Sequence, residues 1–535
     1  MTSVTDLRFD EEVINVSLAE EYLKKNSEFH SKGYDDNGEI EYDVYKNKIY
    51  LSDYTSKISI VTYSLSTSLY NNSMKYLDLA EKLTKNIDLI CQLEYLLRKK
   101  PLEEVRNFDM KLLEQYLIYQ NSFSTAEKAY ISDIVMAADT SLASLGCIAQ
   151  SSAPNVTILS TKETAVICSL FVNLCHEAGL NNIKLIFMAN PAPESPLQCM
   201  NFSNIKELRT GCVGIVTEKA DIDSAVHTFL YATSQYPWHF KKIFVQECAL
   251  NRFKKSLEWK TKKPSSDVEE QLVRSCTSVH VYEDKLYLFE FAGEVNNVSH
   301  NSIIIEAYRT NKELMSIMAT IKPFCVSLWS SHVSESNEIA FGLETNIVWI
   351  NDYGCFEGPP VTSQAFYSLL HRHLDKERVT AFPVKDVLKI RETWLKLEMT
   401  TRLVKMSKVA DKFMTHFKDE NCFRINSNNS NISVGNKLCI ATQEPVNVIV
   451  VNITTCRSVY DLMNFIVDGG AVVLILEKNA SEINEISQLY QALKDIGAPV
   501  LLAGGTDYNL DKIYQDQLRY NTKVVWASIG TIFAN

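Results

Sequence analysis

Hydrophobic positions in the first third of the chain follow the period of a helix. Apolar residues recur at three- and four-residue spacing over residues 73–84, 87–99 and 101–114, and residues 124–145 form a further helix candidate. This spacing places the apolar side chains on one face of each helix, where they can pack against a core. Upstream of these helices, Asn37-Gly38 lies among alternating apolar positions and predicts a hairpin.

From residue 155 onward, short apolar runs alternate with amphipathic stretches, which is the order that builds parallel sheets covered by helices. Asp221 or Asp223 can cap one of the helices, because a carboxylate accepts the unpaired N–H groups of a first turn. The sequence therefore predicts the α/β class, with open and mostly parallel sheets. The predicted strands are residues 155–159, 182–188, 213–217, 243–246, 303–310, 325–329 and 342–351, with two more inside 278–291. The predicted helices are residues 163–178, 247–263, 311–320 and one that begins near Asp221.

Residues 447–505 repeat the order of residues 155–188. Each segment reads as a strand, an acidic first turn, an amphipathic helix, a glycine and a second strand. A charged helical stretch at 386–420 and a polar loop at 426–431 precede the second segment, and a strand at 523–528 closes the chain. The pattern predicts a partial C-terminal repeat of the earlier unit.

Composition and charge exclude several classes of protein. The 535 residues suffice for about two to four domains, and the formal net charge of −11 gives no support for a nucleic-acid surface. No window has the roughly 18–20 apolar residues that a membrane span needs. The 13 cysteines contain no C-x-x-C pair and no metal-like spacing. We therefore expect a cytoplasmic protein with reduced core thiols, no metal, no nucleic-acid partner and no membrane association.

Residues 204–247 resemble the aldehyde dehydrogenase superfamily. In that family a general-base Glu in E-L-G-G-K-S-P precedes a D-A-D-x-D-x-A-V helix, a G-Q-x-C segment with the nucleophilic Cys, and a strand R-x-F-V-Q-E. Here the helix matches residues 220–226 and the strand matches residues 242–247. Glu207 matches the base, and Pro237 stands at the position of the nucleophile. Proline has no thiolate to attack an aldehyde carbonyl, so the resemblance implies that no catalytic group is retained except the residual match at Glu207.

Other motifs of the family are only partly matched. Residues 342–351 match G-L-x-x-G-T-V-W-I-N, and Glu163 is a residual match to the Glu of the cofactor-binding G-N-T-V-V-L-K-P-S-E. Ser160 stands where that motif has its cofactor Lys, and Asn297 stands where the family has a second cofactor Glu. The segment with the oxyanion-hole Asn is missing, and residues 189–196 lack the glycines of the phosphate loop. The resemblance thus implies no bound cofactor, with NAD or NADP as the cofactor if the site is active.

A dehydrogenase-like body followed by a truncated second copy resembles the family-sixteen type of aldehyde dehydrogenase. This resemblance implies a Rossmann-type cofactor domain, an α/β catalytic-like domain and a homo-oligomer. The implied regions are an N-terminal arm and cofactor-domain-like region (1–235), a reduced catalytic-domain-like region (236–345), a C-terminal arm and linker (346–400) and a degenerate second cofactor-domain-like copy (401–535).

Two functions are open at this point. The first is a catalytically inactive aldehyde dehydrogenase-like protein that acts as a binding or scaffold protein with an unknown protein partner. Its basis is the joint absence of the nucleophile, the oxyanion Asn, the glycine-rich loop, the cofactor Lys and the second cofactor Glu. The alternative is an NAD(P)-dependent oxidoreductase that acts on the aldehyde or oxo group of donors, with Cys212 or Cys248 replacing the lost thiol. A site that binds nucleotide without turnover is a third possibility.

Isolated polar residues have ordinary structural interpretations. His239 has no carboxylate or nucleophile partner that the sequence identifies, so a packing role is expected. On a helix, the rings of His371 and His373 would be separated by about half a turn, which is unsuited to metal binding. Asn351 is expected to close the strand that precedes it.

Overall fold

The computed structural model has an α/β architecture, and the predicted class is confirmed. It describes residues 15–25, 42–44, 47–49, 70–119, 133–136, 140–151, 154–160, 163–187, 211–234, 238–262, 275–283, 285–292, 302–321, 323–358, 384–413, 430–445, 447–452, 459–476, 483–504 and 520–528.

The described strands belong to four sheets. The strands are β1 Tyr42–Val44, β2 Asn47–Ile49, β3 Asp133–Met136, β4 Val156–Ser160, β5 Ile183–Phe187, β6 Cys212–Val216, β7 Phe240–Gln246, β8 Ser278–Tyr282, β9 Lys285–Phe289, β10 Ser302–Tyr308, β11 Cys325–Trp329, β12 Ile347–Ile350, β13 Ser430–Val434, β14 Lys437–Pro445, β15 Val448–Asn452, β16 Ala471–Leu476, β17 Val500–Gly504 and β18 Tyr520–Ser528.

Helices cover these sheets and form the N-terminal part of the fold. The α-helices are α1 Ser17–Lys25, α2 Tyr70–Lys85, α3 Ile87–Arg98, α4 Leu102–Glu104, α5 Lys111–Ile118, α6 Cys147–Gln150, α7 Ala165–Glu177, α8 Ile222–Tyr231, α9 Glu247–Lys260, α10 Asn311–Ile321, α11 Val333–Gly342, α12 Val384–Leu395, α13 Met399–Phe413, α14 Val459–Asp468 and α15 Ile483–Asp495. A π-helix spans Val105–Met110 and a 3₁₀-helix spans Leu142–Gly146.

The largest sheet has ten strands in the order β13-β14-β18-β12-β11-β6-β7-β10-β9-β8. Its seven central strands, from β18 to β9, run parallel, and β8 and β14 run antiparallel to their neighbours. All four predicted regions, 1–235, 236–345, 346–400 and 401–535, contribute strands to this sheet. The region boundaries stay a prediction, and the sheet crosses each of them.

Two smaller sheets each consist of three parallel strands, β3-β4-β5 and β15-β16-β17. In both, a helix connects consecutive strands: α7 joins β4 to β5, and α14 and α15 connect the strands of the C-terminal sheet. The C-terminal sheet has a hydrophobic core of its own around Phe465, Leu474 and Leu493, against which Trp394 and Met406 pack. The similar order agrees with the predicted repeat, which stays a prediction.

The hairpin predicted at Asn37-Gly38 lies outside the described residues. The described strands β1 and β2 pair antiparallel, with Val44 opposite Asn47. One prediction of local structure was wrong. Within the helix predicted for residues 124–145, Asp133–Met136 is a strand. The β-branched pair Ile134-Val135 suits a strand, and pairing with the buried β4 outweighs the local helical period. Among the described residues, no helix has both the length and the apolar character to cross a bilayer.

Candidate functional site

Several residues that the sequence analysis singles out lie outside the described residues. These are Glu207, Pro237, Asn297, His371, His373 and the segment 189–196. Glu163 is described and is exposed, two residues before α7 begins. Ser160 ends β4 and is buried, with its hydroxyl 3.0 Å from the hydroxyl of Thr164. A short polar contact therefore occupies the position that the resemblance aligns with the family's cofactor Lys.

The described residues on either side of residues 235–237 lie where the parallel strands of the ten-stranded sheet begin, which we call the amino-terminal edge of the sheet. The parallel strands β6 and β7 both begin at this edge, and the Cys212 N–H donates to the His239 carbonyl over 2.8 Å. Gly211 precedes β6 with a φ of +55°, and a Cβ atom there would lie 2.6 Å from the same carbonyl oxygen. Because only glycine fits this close approach without displacing the backbone, the edge is tightly packed beside the candidate site.

Trp238, the residue that follows Pro237, lies in an aromatic cluster. Its side chain is 1% exposed, and the Tyr353 hydroxyl donates to its carbonyl over 2.8 Å. Edge-to-face contacts between aromatic rings stabilise the fold beyond the burial of apolar surface. The cluster around Trp238 therefore fixes the position of its indole and of the chain at this residue. The ring centroids around Trp238 are those of Phe356 at 4.9 Å, Phe324 at 5.5 Å, Phe108 at 6.1 Å and Trp349 at 6.4 Å.

The Asp109 carboxylate lies under this cluster and is fully surrounded by donors. It accepts from the Ser141 hydroxyl at 2.6 Å, the Lys100 ammonium at 3.0 Å, the Leu142 N–H at 3.2 Å and the Trp238 indole at 3.4 Å. Burial by itself would raise the pKa of Asp109, but the Lys100 charge and the hydrogen bond from Ser141 outweigh it and hold the pKa below its usual value. Asp109 is therefore a charged residue at neutral pH.

Three more charged side chains complete a buried network around Asp109. The Arg98 guanidinium donates to both oxygens of Glu94 at 2.9 Å, and the Lys100 ammonium lies 3.4 Å from Glu94. All four side chains are at most 5% exposed. Two carboxylates and two cations balance, so the network joins α3 to the π-helix with no net charge.

The π-helix brings two consecutive residues to the candidate site. Phe108 contacts the Trp238 ring, and Asp109 accepts from its indole N–H. A π-helical turn is wider than an α-helical one, so a short π segment changes which residues share a face. Glu104, just before the π-helix, accepts from the Thr233 hydroxyl at the same edge.

Lys285 is buried at the start of β9 and caps the end of α8. Its ammonium donates to the Leu230 carbonyl at 2.8 Å and to the Ala232 carbonyl. A cation at a helix C-terminus satisfies carbonyl groups that lack partners in the helix and matches the helix dipole. Burial raises the pKa of Glu104, against the opposing effects of the Thr233 hydrogen bond and the Lys285 charge.

The cavity at this edge is small. It offers about 10 Å³ to the centre of a water molecule, which is room for roughly one water. Its polar residues can hold a water or exchange a proton with one. The lining residues are Phe229, Ala232, Thr233, Ser234, His239, Phe240, Lys285 and Ile303.

The two cysteines proposed as replacement nucleophiles have very different positions. Cys212 is buried at the amino-terminal edge of the sheet, in register with Cys325 on β11. Burial raises its pKa well above the usual value, and the hydrogen bond with Cys325 adds to this effect, so the reactive thiolate is disfavoured. Cys248 is exposed at the start of α9, at the opposite end of β7. Because the seven residues of β7 span roughly 23 Å, Cys248 is remote from Trp238 at the other end of the strand. The suggestion that Cys248 replaces the nucleophile stays a prediction.

Asn351 and His239 follow the structural interpretation given above. The Asn351 side chain accepts from the Ser330 N–H at 2.9 Å and donates to the Ser330 carbonyl at 2.7 Å, which joins the ends of β11 and β12. His239 is 4% exposed within the edge. In the ranges that the structure covers, no three His, Cys, Asp or Glu side chains form a group that could hold a metal ion.

Sequence reasoning missed Asp109, Glu104 and Lys285. Lys285 begins the apolar strand K-L-Y-L-F, whereas Asp109 in V-R-N-F-D-M and Glu104 in L-E-E have other polar residues beside them. A charge at a position that the period predicts to be buried signals a paired group. The partner could not be inferred, because Asp109 and Trp238 are 129 positions apart.

Solved structures that are similar to this chain include aldehyde dehydrogenases. One is a betaine aldehyde dehydrogenase from Staphylococcus aureus in complex with NAD+, with 13% identity, a TM-score of 0.42, and coverage of 54% of this chain and 76% of that chain. Another is an NAD-dependent benzaldehyde dehydrogenase from Corynebacterium glutamicum, with 12% identity, a TM-score of 0.42, and coverage of 57% and 84%. No protein-family model and no curated protein matches the chain.

Proposed function

We propose that this chain is an aldehyde dehydrogenase-like protein that does not oxidise aldehydes and acts as a binding or scaffold protein. One observation carries the proposal: Trp238, next to the nucleophile position, is fully buried in an aromatic cluster, beside a cavity with room for roughly one water. An enzyme that forms a thioester needs space for the aldehyde and a thiolate that faces it. The packing at this edge opposes both requirements.

The chemistry of the thiols supports the same proposal. Cys212 lies at the amino-terminal edge, where the candidate site is, but it is buried and its pKa is raised. Cys248 is exposed but lies at the other end of β7. Together with Pro237 at the nucleophile position, this leaves the family's acyl-transfer chemistry without a nucleophile among the two candidate thiols that the structure describes. The family-sixteen relationship, the four-region organisation, a protein partner and a homo-oligomer belong to this proposal.

The second candidate function is an NAD(P)-dependent oxidoreductase that acts on an aldehyde or oxo group. Glu104 favours it, because it is a half-buried carboxyl with a raised pKa, hydrogen-bonded to Thr233 of the cavity lining, and such carboxyls are typical of general acids and bases. In this alternative Glu207 would be a second carboxylate, and NAD or NADP would be the cofactor.

Cofactor binding and turnover separate the two functions. We expect calorimetry of the full chain with NAD and with NADP to give no heat of binding, because Ser160 and residues 189–196 lack the family's cofactor-binding groups. In parallel, absorbance at the reduced-nicotinamide band should not increase when an aldehyde and either cofactor are added. Turnover that Cys212→Ser or Glu207→Gln abolishes, and that Cys248→Ser leaves intact, would contradict the proposal. Binding without turnover would identify a nucleotide-binding site.

A further inference from the structure

The outer side of helix α9 differs in charge from the chain as a whole. Residues 251–262 contain five cationic side chains and one carboxylate, whereas the formal net charge of the chain is −11. The inner side of the helix is fully buried, with Ala249, Phe253 and Leu257 at 0% exposure. Because this one-sided burial fixes the rotation of α9, the residues on its other side face water.

Three exposed side chains form a stripe along that outer side. Arg252, Lys255 and Trp259 are separated by three and four positions, and this spacing makes them neighbours on the helix surface. Lys262 is also exposed, and its backbone exchanges hydrogen bonds of 2.8 and 2.9 Å with Val281 of β8, which holds it just beyond the end of the helix. We call Arg252, Lys255, Trp259 and Lys262 the basic face.

The positive charge of the basic face is not neutralised by ion pairs. Within the described part of the chain, the ammonium groups of Lys255 and Lys262 have no carboxylate partner. The Arg252 guanidinium donates to the backbone carbonyl of Glu218 at 2.5 Å. That carbonyl is neutral, so the contact orients the guanidinium without cancelling its charge.

The carboxylates closest to the basic face lie on its flanks. Glu258 is directed to β8, where its carboxylate lies 4.0 Å from His280. Asp223 lies on α8 and accepts a hydrogen bond from the Ser256 hydroxyl of α9. The centre of the basic face therefore has a positive potential that is open to water.

Trp259 gives the basic face an apolar centre. Its side chain is 92% exposed, which is the largest exposed fraction among the large hydrophobic residues that the structure describes. Four other tryptophans, Trp238, Trp349, Trp394 and Trp526, are at most 1% exposed. Burial of an indole in a contact removes roughly 150–250 Å² of surface from water. Tryptophan is for this reason enriched among the residues that contribute most to protein–protein binding.

The size of the basic face limits the kind of partner that it fits. It is roughly 15 Å long, from the helical rise per residue, so an extended segment of about five residues covers it. A nucleic acid or an anionic membrane carries negative charge over a much longer distance, and the net charge of −11 would repel it beyond the basic face. A short acidic segment of a protein meets only the basic face, so charge complementarity favours it.

We propose that the basic face of α9 binds a short acidic segment of a protein partner. Carboxylates of the segment contact Arg252, Lys255 and Lys262, and one apolar side chain packs on the Trp259 indole. This inference rests on the proposed binding or scaffold function, to which it adds a surface and the chemistry of the partner. The contact is small, so the complex is a weak and reversible one.

Fluorescence anisotropy with labelled peptides and the full chain tests the proposal. The probe is E-D-F-E-D between Gly-Ser ends, and the controls are Q-N-F-Q-N, which lacks the charges, and E-D-G-E-D, which lacks the apolar side chain. We expect the probe to bind with a Kd below about 100 μM and each control to bind at least about fivefold more weakly. Added salt should also weaken binding of the probe, because it screens exposed charges.

Substitutions in the basic face should have the same effect as changes in the peptide. Trp259→Ala and Lys255→Glu should each weaken binding of the probe by at least about tenfold, through loss of the apolar contact and through repulsion of the carboxylates. Lys408→Glu on α13 is the matched control, because it makes the same charge change at another exposed helical lysine. Its Kd should stay within about twofold of the wild type. All three positions are exposed, so the fold is retained.

Several outcomes would overturn the proposal. These are no binding of the probe up to about 1 mM, equal binding of the three peptides, and equal loss in the Lys408→Glu and Lys255→Glu variants. Tighter binding to phosphatidylserine vesicles or to single-stranded oligothymidine than to the probe would also overturn it. None of these results affects the proposal that the chain does not oxidise aldehydes, because cofactor binding and turnover test that proposal separately.

Discussion

Replacing Asp109 by alanine is expected to lower the free energy of unfolding by about 3–5 kcal/mol, because removal of one partner leaves the other charges of a buried network unpaired. The Lys100 ammonium is 4% exposed and would retain only Glu94, at 3.4 Å. The Ser141 hydroxyl and the Leu142 N–H would also lose their acceptor. Urea unfolding followed by tryptophan fluorescence measures the change, since Trp238 contacts the carboxylate.

An exposed ion pair of the same residue type is the matched control. Asp88 lies 2.5 Å from Arg106, but the two side chains are 63% and 35% exposed. Water screens such a pair, so Asp88→Ala should change the free energy of unfolding by no more than about 1 kcal/mol. If the two alanine variants had equal stability, the network around Asp109 would not stabilise the fold as we infer.

The same network predicts how stability depends on pH. The folded-state pKa of Asp109 is lowered, so its contribution is present above the unfolded-state pKa of about 3.9 and is lost as the pH falls through the lower folded-state value. Asp109→Asn removes this contribution. The stability difference between wild type and the Asn variant should therefore be constant from neutral pH to about pH 5 and shrink only in more acid solution.

Local signals in the sequence were sufficient for most elements of the central sheet. Asp221 caps α8 as predicted, and its carboxylate accepts from the Ser224 N–H at 3.3 Å. The strand predicted at 325–329 has those bounds in the structure, because a short apolar run followed by polar residues has only one plausible length. These elements depend on side chains within a few positions of one another.

The packing of the site could not be predicted in the same way. The aromatic cluster joins Phe108, Trp238 and Phe356, which are separated by more than a hundred positions along the chain. The π-helix has no recognised local pattern, and it forms where Phe108 and Asp109 both contact Trp238. A resemblance to a family could mark Pro237 as the critical position, but only tertiary contacts reveal that Trp238 fills the adjacent space.

The C-terminal strand was predicted as a strand but not as part of the central sheet. The sequence placed residues 401–535 in a degenerate second copy, and nothing local distinguishes a strand of that copy from one that returns to an earlier sheet. In the structure, β18 pairs in parallel with β12 and in antiparallel with β14. Lys523 adds a buried link, because its ammonium donates to the Phe341 and Leu343 carbonyls at the end of α11.

This arrangement predicts that Trp526→Ala destabilises the whole chain and not only its C-terminal part. The indole of Trp526 is 1% exposed, lies 6.2 Å from the Trp349 ring, and donates to the Glu357 carbonyl at 2.8 Å. Loss of a buried Trp costs about 3–5 kcal/mol, because the cavity is not refilled and the carbonyl loses its donor. In urea unfolding, the midpoint of the transition should fall to a lower urea concentration, and by the same amount whether it is followed by far-UV circular dichroism or by fluorescence.

Trp259→Ala is the matched control for the size of the side chain. Trp259 on α9 is 92% exposed, so its removal should change the free energy of unfolding by less than about 0.5 kcal/mol. If residues 401–535 folded independently of the rest, Trp526→Ala would lower only a separate C-terminal transition and leave a second one at the wild-type midpoint. A single shifted transition would instead mean that β18 completes the central sheet, and that the strands before and after residue 400 fold as one cooperative unit.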